Sequence, residues 1–452
     1  MKVMKWSAIA LAVTAAATSQ LAMAEAFVSD QAEAKGFVED STLNLLLRNY
    51  YFNRDNKNGG HDQRDWTQGI HGVFSSGFTT GTVGVGVDAF AYGGLRLWGL
   101  DKYSGSTNLT VDSDGDNHSN YGKVGAAAKF RISKTMLKIG DQQPSTSPVF
   151  AVGGSRLVPQ TASGITLMSS EVTGLDLEAG HFYSGTSQND TSHDGELWAN
   201  YAGVSAKSAD YLGGRYAFND QLSVGVYGSK LEDIWNQYYG NVNYVLPLAG
   251  DQSLTFDVNY YRTTDEGSSK AGEIDNNTYS LSAAYAFLPG QTLTLSFQKV
   301  NGDTPFDYIG VGDNNRGGDS IFLANSIQYS DFNAPGEKSW KLQYNLDLAS
   351  YGVPGLSFMA RYAYGYDIDG SGADLSGAYV THDENGVVNG TLYGSDGDHH
   401  ETNLEAKYVV QTGPAKDLSF RIRQAWHTGN ADQADGDVKE FRLIVDYPIS
   451  IL

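Results

Sequence analysis

The sequence predicts an all-β fold, a transmembrane antiparallel β-barrel in an exported protein. Three observations lead to this fold class. Apolar and polar residues alternate along many segments, tight turns alternate with long polar loops, and the chain begins with an export signal. The composition agrees, because 53 glycines and 28 tyrosines accompany only 40% hydrophobic residues. This balance favours many short strands over packed helices.

Residues 1–24 form the predicted secretory signal peptide. Lys2 and Lys5 supply its positive start, residues 7–18 are apolar or small, and Ala22-Met23-Ala24 matches a signal-peptidase cleavage site. The apolar stretch is shorter than the roughly 20 residues that a transmembrane helix needs. We therefore expect residues 25–452 to form the barrel domain. Loss of two lysines and no acid changes the net charge from −21 to −23.

Alternation of period two indicates strands with one apolar and one polar face. Residues 254–260, 341–348 and 418–423 show it most plainly. In a membrane barrel the apolar face meets lipid and the polar face lines the lumen. At about 9–11 residues per spanning strand, with turns and loops of similar length, the chain allows about 16–20 strands. A barrel of that size encloses a lumen that side chains alone do not fill.

The connections between these segments are of two lengths. Residues 248–251, 288–290 and 352–355 are tight turns, whereas 104–120, 186–195, 263–277 and 367–400 are long and polar. Short periplasmic turns and long extracellular loops are typical of membrane barrels. A soluble sandwich would turn the same apolar face towards a core. An exported all-β hydrolase or binding protein is therefore the alternative from another class.

Basic residues recur on the polar face of the last three strand-like segments and of the first one. They are Lys407, Arg421, Arg423, Arg442, Arg48 and Arg54. On the lipid face each would cost about 2–4 kcal/mol at mid-depth, so we expect them to face the lumen. Arginine binds carboxylates through two parallel hydrogen bonds, so such a row can pass a carboxylate along the wall. The alternative is that they pair with lumen acids, such as Glu405 or Asp446, only to hold strands together.

Residues 142–163 are rich in proline and glycine, which break a strand and suit a long loop that folds inward. Arg156 lies in the middle of this segment. The chain also resembles a known family, most specifically in "LLLRNYYFNRD" (45–55), "GGSRLVPQTASG" (153–164), "GGDSIFLANSIQYSDFNAPGEKSW" (317–340) and "HHETNLEAKYVVQTGPAKDLSFRIRQAW" (399–426). From Ala26 to its last residue it resembles the OprD family of substrate-specific porins.

The resemblance implies a barrel of 18 strands with constriction loops folded into the lumen. Its location would be the outer membrane of a Gram-negative cell, in contact with lipid and lipopolysaccharide, as a monomer or a loose homotrimer. The implied solutes are small carboxylates, above all basic amino acids, small basic peptides and carbapenem-type antibiotics. Aromatic or other organic carboxylates are the alternative, because the same basic wall would serve them.

The resemblance also assigns roles to individual residues. It implies a basic ladder at Arg54, Lys407, Arg421, Arg423 and Arg442, and a constriction at Arg156. Opposite Arg156 it implies an acidic pocket lined by Asp319, Ser320, Tyr329, Asp331, Tyr201 and Tyr308. A zwitterion with a cationic tail would satisfy both walls. Composition alone would make Asp319 and Asp331 ordinary solvated loop acids.

We expect no enzyme activity, no cofactor and no metal site. A serine-protease activity has been ascribed to a member of the resembling family, and the matching positions are His181, Asp233 and Ser320. No G-x-S-x-G nucleophile turn surrounds Ser320. The acids at 112–116 resemble part of a calcium loop that lacks its closing glutamate. The acidic balance argues against nucleic-acid binding.

Overall fold

The structure is a computed structural model that describes residues 27–452, so the predicted signal peptide lies outside the described residues. Within the described part of the chain, the helices are three short 3-10 turns at Gln31–Glu33, Asp101–Tyr103 and Ala349–Tyr351. None of the described helices is long and apolar enough to cross a membrane.

Strands make up most of the described chain. In chain order they are β1 (Thr42–Asn56), β2 (Gln63–Ser75), β3 (Gly84–Trp98), β4 (Asn120–Ile132), β5 (Thr135–Gln142), β6 (Thr161–Val172), β7 (Leu175–Thr186), β8 (Leu197–Ala199), β9 (Val204–Ala206), β10 (Ala209–Ala217), β11 (Leu222–Leu231), β12 (Trp235–Pro247), β13 (Ser253–Asp265), β14 (Asp275–Leu288), β15 (Gln291–Asn301), β16 (Ile309–Val311), β17 (Arg316–Gly317), β18 (Lys338–Asp347), β19 (Leu356–Ile368), β20 (Val380–His382), β21 (Val388–Thr391), β22 (Gly397–Val409), β23 (Ser419–Gly429) and β24 (Val438–Ser450).

Eighteen of these strands form one closed antiparallel sheet. Each pairs with the next along the chain, and β24 pairs with β1, where Arg48 lies opposite Asp446. Four short strands, β8, β9, β16 and β17, form a separate small sheet, and β20 pairs with β21. Closure leaves the large sheet without an unpaired edge, which lipid would not tolerate. The predicted barrel of about 18 strands is confirmed.

The two faces of the barrel differ in chemistry, as β15 illustrates. Leu293 and Leu295 are exposed on its outer face, whereas Thr294, Ser296 and Gln298 are buried on its inner face. Because successive strand residues point to opposite sides, the alternation in the sequence becomes an apolar exterior and a polar interior.

The connections also divide as the sequence predicts. One end of the barrel carries tight turns such as Pro289–Gly290, where Gly290 adopts a φ of 72° that favours glycine. The other end carries long segments, including residues 99–119, 143–160, 302–337 and 369–396. We refer to these as the turn end and the loop end of the barrel.

The segment 143–160 folds into the lumen. His71 on β2 hydrogen bonds through a ring nitrogen to the Leu157 carbonyl at 2.7 Å, and the Tyr261 hydroxyl on β13 donates to the Pro148 carbonyl at 3.1 Å. Eight strands lie between β2 and β13 in either direction around the barrel of 18, so the two strands are on opposite walls. A segment that contacts opposite walls of a closed barrel must lie inside it. The predicted inward-folded loop is therefore present.

Candidate functional site

A row of cations lies on the inner face of β22, β23, β24 and β1. The strand register places Lys407 opposite Arg421, Arg423 opposite Arg442, and Arg54 opposite Glu440. Arg48 lies six residues before Arg54 on the same face of β1. At about 3.4 Å per residue the row covers about 20 Å along the barrel wall. We call these six residues the basic row.

Two acidic side chains beside the row, Glu440 and Glu405, are each shared between two arginines. Glu440 is fully buried and accepts from Arg54 Nε at 2.8 Å and from Arg442 Nε at 2.6 Å. Glu405 accepts from Arg421 at 2.8 Å and lies 3.2 Å from Arg423 Nε. Two carboxylates thus pair with four guanidinium groups.

The sequence left open whether these cations serve strand pairing alone. Every arginine of the row has a carboxylate partner, which agrees with that alternative, but the cations are in excess. Lys407 is exposed and has no ion pair among residues 27–452, and Arg421, whose side chain is 40% exposed, shares the single carboxylate of Glu405 with Arg423. Positive charge that no carboxylate compensates therefore remains on the inner wall.

Arg48 is occupied differently from the rest of the row. Its Nε and one terminal nitrogen donate to both Asp446 oxygens at 2.8 and 3.0 Å. Its other terminal nitrogen donates to the carbonyls of Gly154 and Arg156 at 3.2 and 2.9 Å. Arg48 therefore fastens the inward loop to the wall and has little left to offer a solute.

Sequence reasoning missed two contributors to this wall. Phe52 lies between Arg48 and Arg54 on the same face, and the guanidinium carbons of Arg54, Arg156 and Arg442 lie 5.2–5.7 Å from its ring centroid. Such contacts stabilise clustered cations. Arg361 on β19 adds a further guanidinium, which donates to Asn403 at 2.6 Å. The sequence could have indicated Phe52, because it is an even number of residues from Arg48 and Arg54 and so lies on the same face of the strand.

Two inward loops, residues 143–160 and 302–337, contact each other inside the barrel. The Asp319 amide, in segment 302–337, donates to the Ala151 carbonyl at 3.1 Å, and Gln160 donates to the Arg316 carbonyl at 2.8 Å. Arg156 is half-buried and donates from Nε to the Ser106 carbonyl at 3.0 Å. The structure therefore brings Arg156 and Asp319 into two loops that contact each other.

Asp331 is the centre of a hydrogen-bonded pocket. Its carboxylate accepts from the hydroxyls of Tyr201 and Tyr308 at 2.9 and 3.0 Å, and from Ser326 at 2.5 Å. The two tyrosine rings meet edge to face at 6.0 Å. Loss of hydration raises the pKa of Asp331 above its ordinary range, despite these three donors.

Asp319 belongs to the same region but is more open. Its side chain is exposed to the lumen, while the surrounding protein raises its pKa to about 6 by displacing hydration, with a further contribution from the charge of Asp331. The carboxylate is therefore charged at neutral pH and loses its charge under mild acid.

The acidic pocket adjoins the loop-end part of the basic row. Gln328 donates to Glu440 at 3.1 Å, and its carbonyl accepts from Arg442 at 3.3 Å. The Tyr329 ring lies 4.8 Å from the Arg54 guanidinium, and the Tyr329 amide donates to Glu401 at 3.1 Å. The loop that carries Asp331 is therefore bound directly to the wall that carries the row.

The weakly predicted catalytic set His181, Asp233 and Ser320 does not form a hydrogen-bonded triad. His181 points outward from β7 and its Nδ1 bonds to Asp210 at 2.7 Å. Asp233 accepts from the Ser268 amide at 3.2 Å. Ser320 is fully buried, and its hydroxyl has no hydrogen-bond partner in the described chain. The candidate triad is therefore wrong, because its histidine and serine lie on opposite sides of the barrel wall.

One group of side chains with metal-ligand chemistry lies near the loop end of the barrel. His399, His427 and Asp435 offer ligand atoms that all lie within 4.8 Å of one another. No local motif in the sequence marks this group, because the three residues are spread over 37 positions.

Comparisons with known proteins agree in sequence and in structure. A family model described as outer membrane porin, OprD family, matches residues 35–451. The chain is 64% identical to Porin D of Pseudomonas aeruginosa, over 100% of both chains, and 33% identical to the porin-like protein GalP of Pseudomonas putida, over 93% of this chain and 95% of that one.

Two solved structures have the same fold. The crystal structure of Pseudomonas aeruginosa OprD matches with a TM-score of 0.81 at 60% identity, over 95% of this chain and all of that one. A BenF-like porin from Pseudomonas fluorescens matches with a TM-score of 0.82 at 31% identity, over 92% of this chain and all of that one. The likeness therefore extends over nearly the whole barrel.

Proposed function

Because the chain belongs to the OprD family of outer-membrane porins, we propose that its pore selects small solutes that combine a carboxylate with a cationic group. Such solutes are basic amino acids, small basic peptides and carbapenem-type antibiotics. The protein is a channel of the outer membrane and not an enzyme. The observation that carries the proposal is a basic row in charge excess, bound at its loop end to an acidic pocket.

The basic row would take the solute carboxylate. Arg421, Arg423 and Lys407 lie next to one another on the inner wall with one carboxylate, Glu405, between them. The exposed charges of Lys407 and Arg421 can bind a carboxylate and release it to the next level of the row, because neighbouring levels are about 7 Å apart. Passive diffusion needs this kind of binding at several sites of moderate strength.

The acidic pocket would take the cationic end of the same solute. Asp319 is open to the lumen, and Asp331 lies behind it with Tyr201 and Tyr308. An ammonium or guanidinium group near these carboxylates gains charge-assisted hydrogen bonds of about 1.5–3 kcal/mol. The pocket therefore distinguishes a basic amino acid from a simple carboxylate.

Aromatic or other organic carboxylates are the second candidate class. The edge-to-face pair of Tyr201 and Tyr308 favours it, because an aromatic solute beside these rings would gain offset-stacked or edge-to-face contacts. For this class the basic row would suffice and the acidic pocket would be unnecessary. The dependence of transport on Asp331 therefore separates the two proposals.

The test is single-channel conductance in planar bilayers, with arginine and benzoate as blocking solutes. Arg421→Ala should weaken block by both solutes about tenfold, because each loses one charge-assisted contact. Asp331→Asn should weaken block by arginine alone. Lys439→Ala, which alters an exposed residue on the outer face of β24, is the matched control and should behave as the native protein. Identical block in all four proteins would refute a functional basic row.

We also propose that outward cations at the loop end contact lipopolysaccharide phosphates. Arg262, Lys299 and Lys338 lie on the outer face of β13, β15 and β18, beside the long loops. Anionic headgroups occupy this depth of the outer leaflet, so charge complementarity supports the contact. A monomer or a loose homotrimer remains our prediction for the assembly.

A further inference from the structure

We propose that His399, His427 and Asp435 form a binding site for a divalent transition metal, with Zn²⁺ as the reference ion. The three residues come from β22, β23 and the segment between β23 and β24, and their ligand atoms lie within 4.8 Å of one another. This proposal goes beyond solute transport and does not depend on it.

Hydrogen bonds already orient both imidazoles so that one nitrogen of each ring faces the other ring. His427 Nδ1 lies 2.9 Å from the Gly436 carbonyl, which can only accept, so Nδ1 carries the proton. His399 Nε2 lies 2.8 Å from Glu337. His399 Nδ1 and His427 Nε2 lie 2.8 Å apart, and because His427 Nε2 is then unprotonated, His399 Nδ1 donates a hydrogen bond to it, whose proton a metal ion would replace.

Metal-binding histidines normally have such hydrogen-bond acceptors next to the ring nitrogen that does not bind the metal. A ligating imidazole usually donates its second ring N–H to a carboxylate or a backbone carbonyl, which fixes the ring and raises its basicity. Glu337 supplies the carboxylate for His399, and Gly436 supplies the carbonyl for His427. Both supports are in place before any metal binds.

Packing holds the two rings in place. His399 stacks on Phe332 at 4.3 Å, and the His427 ring lies 5.0 Å from Tyr329. Both histidines are 1% exposed, so protein surrounds them almost completely. A tetrahedral ion with bonds of about 2.0–2.1 Å needs its two nitrogen ligands about 3.4 Å apart, so binding would separate the two rings by roughly half an ångström.

Asp435 completes the set from the solvent side. It is partly exposed, and among residues 27–452 its carboxylate makes no hydrogen bond and no ion pair. Two nitrogens and one carboxylate oxygen suit Zn²⁺, Cu²⁺ or Ni²⁺ rather than Ca²⁺ or Mg²⁺, which prefer oxygen ligands. A fourth position would be left open to water, because three protein ligands are available.

The experiment is a calorimetric titration of the detergent-solubilised full-length mature protein with Zn²⁺. The protein is purified without a histidine tag and treated with a chelator first. We expect one Zn²⁺ per chain, and a loss of affinity of at least about 100-fold in His427→Ala. Co²⁺ should give the intense visible absorption of a four-coordinate imidazole complex, which reports the ligands directly.

The variants separate metal binding from damage to the barrel. Asp435→Asn removes a ligand without breaking any hydrogen bond within the described chain, so it should weaken Zn²⁺ binding about tenfold or more and leave folding unchanged. His400→Ala is the matched control, since His400 is the next residue along β22 and points outward. Absence of stoichiometric Zn²⁺ binding by the native protein, or Zn²⁺ affinity in both Asp435→Asn and His427→Ala equal to that of the native protein, would show a hydrogen-bonded link only and overturn the proposal.

Discussion

The basic row depends on Glu440, so Glu440→Gln gives the sharpest test of its electrostatics. Glu440 is fully buried between Arg54 and Arg442, whose side chains are 18% and 3% exposed. The glutamine can keep its carbonyl towards Arg442 and Gln328, but its amide then faces Arg54, donor against donor. Arg442 keeps a hydrogen bond and loses the counter-charge, while Arg54 loses both.

The expected cost follows from this geometry. Removing one partner of a buried ion pair destabilises a protein by about 3–5 kcal/mol. The lower end applies because Arg54 can turn its guanidinium towards water in the lumen, so we expect about 3 kcal/mol. The measurement is the free energy of unfolding in urea, with the barrel folded into phospholipid vesicles and followed by tryptophan fluorescence.

The control is an ion pair outside the lumen. Asp367→Asn breaks the pair with Lys338, whose side chain is 40% exposed, and exposed pairs contribute about 0–1 kcal/mol. If Glu440→Gln lowers the free energy of unfolding by no more than Asp367→Asn does, then Glu440 does not compensate the charge of the buried arginines, and the reasoning is refuted. A loss of folding in Glu440→Gln alone would show that the cost exceeds the expected value.

Three further predictions test other parts of the pore. Asp319 has its pKa raised to about 6, so its carboxylate is ionised at pH 7.5 and largely protonated at pH 5. Block of the channel by arginine in bilayers should therefore weaken on acidification. Asp319→Asn should remove that part of the pH dependence. Glu401 accepts from the Tyr329 and Ser330 amides at 3.1 and 2.9 Å. Glu401→Gln should therefore loosen the inward segment 302–337 and increase the current noise of the open channel. An unchanged current trace would show that other contacts hold this segment in place. Leu404 is 47% exposed on the lipid face, so Leu404→Arg should lower the free energy of unfolding in vesicles by about 2–4 kcal/mol. The inward Lys407→Arg is the control and should change that free energy by less than about 0.5 kcal/mol. Equal effects of the two substitutions would contradict the assigned faces.

The orientation of the basic residues could be predicted from the sequence alone. Arg421 and Arg423 alternate with Phe420 and Ile422, and lipid accepts only one of these two sets. The strand period of two then places every second residue on the same side. For this reason the faces of β23 and β24, the tight turns and the approximate strand number all followed from local pattern.

Which residues meet across strands could not be predicted in this way. Sharing of Glu440 between Arg54 and Arg442 depends on the register of β1 against β24, which are 382 residues apart from Asn56 to Val438 along the chain. Closure of the whole barrel sets this register, so the register cannot be predicted from the sequence of a single strand. The resemblance supplied the ladder positions, but it supplied neither the ion pairs nor the role of Arg48.

The alternation of side chains therefore determined the membrane-facing and lumen-facing surfaces, because each residue's direction is a local property of a strand. Only the tertiary structure decided that the inward loops meet at Ala151 and Asp319, that Asp331 binds two tyrosine hydroxyls, and that His399 faces His427. These contacts depend on how the closed barrel positions segments that are distant in sequence. Loop conformation inside a lumen is set by the surrounding wall and not by the composition of the loop.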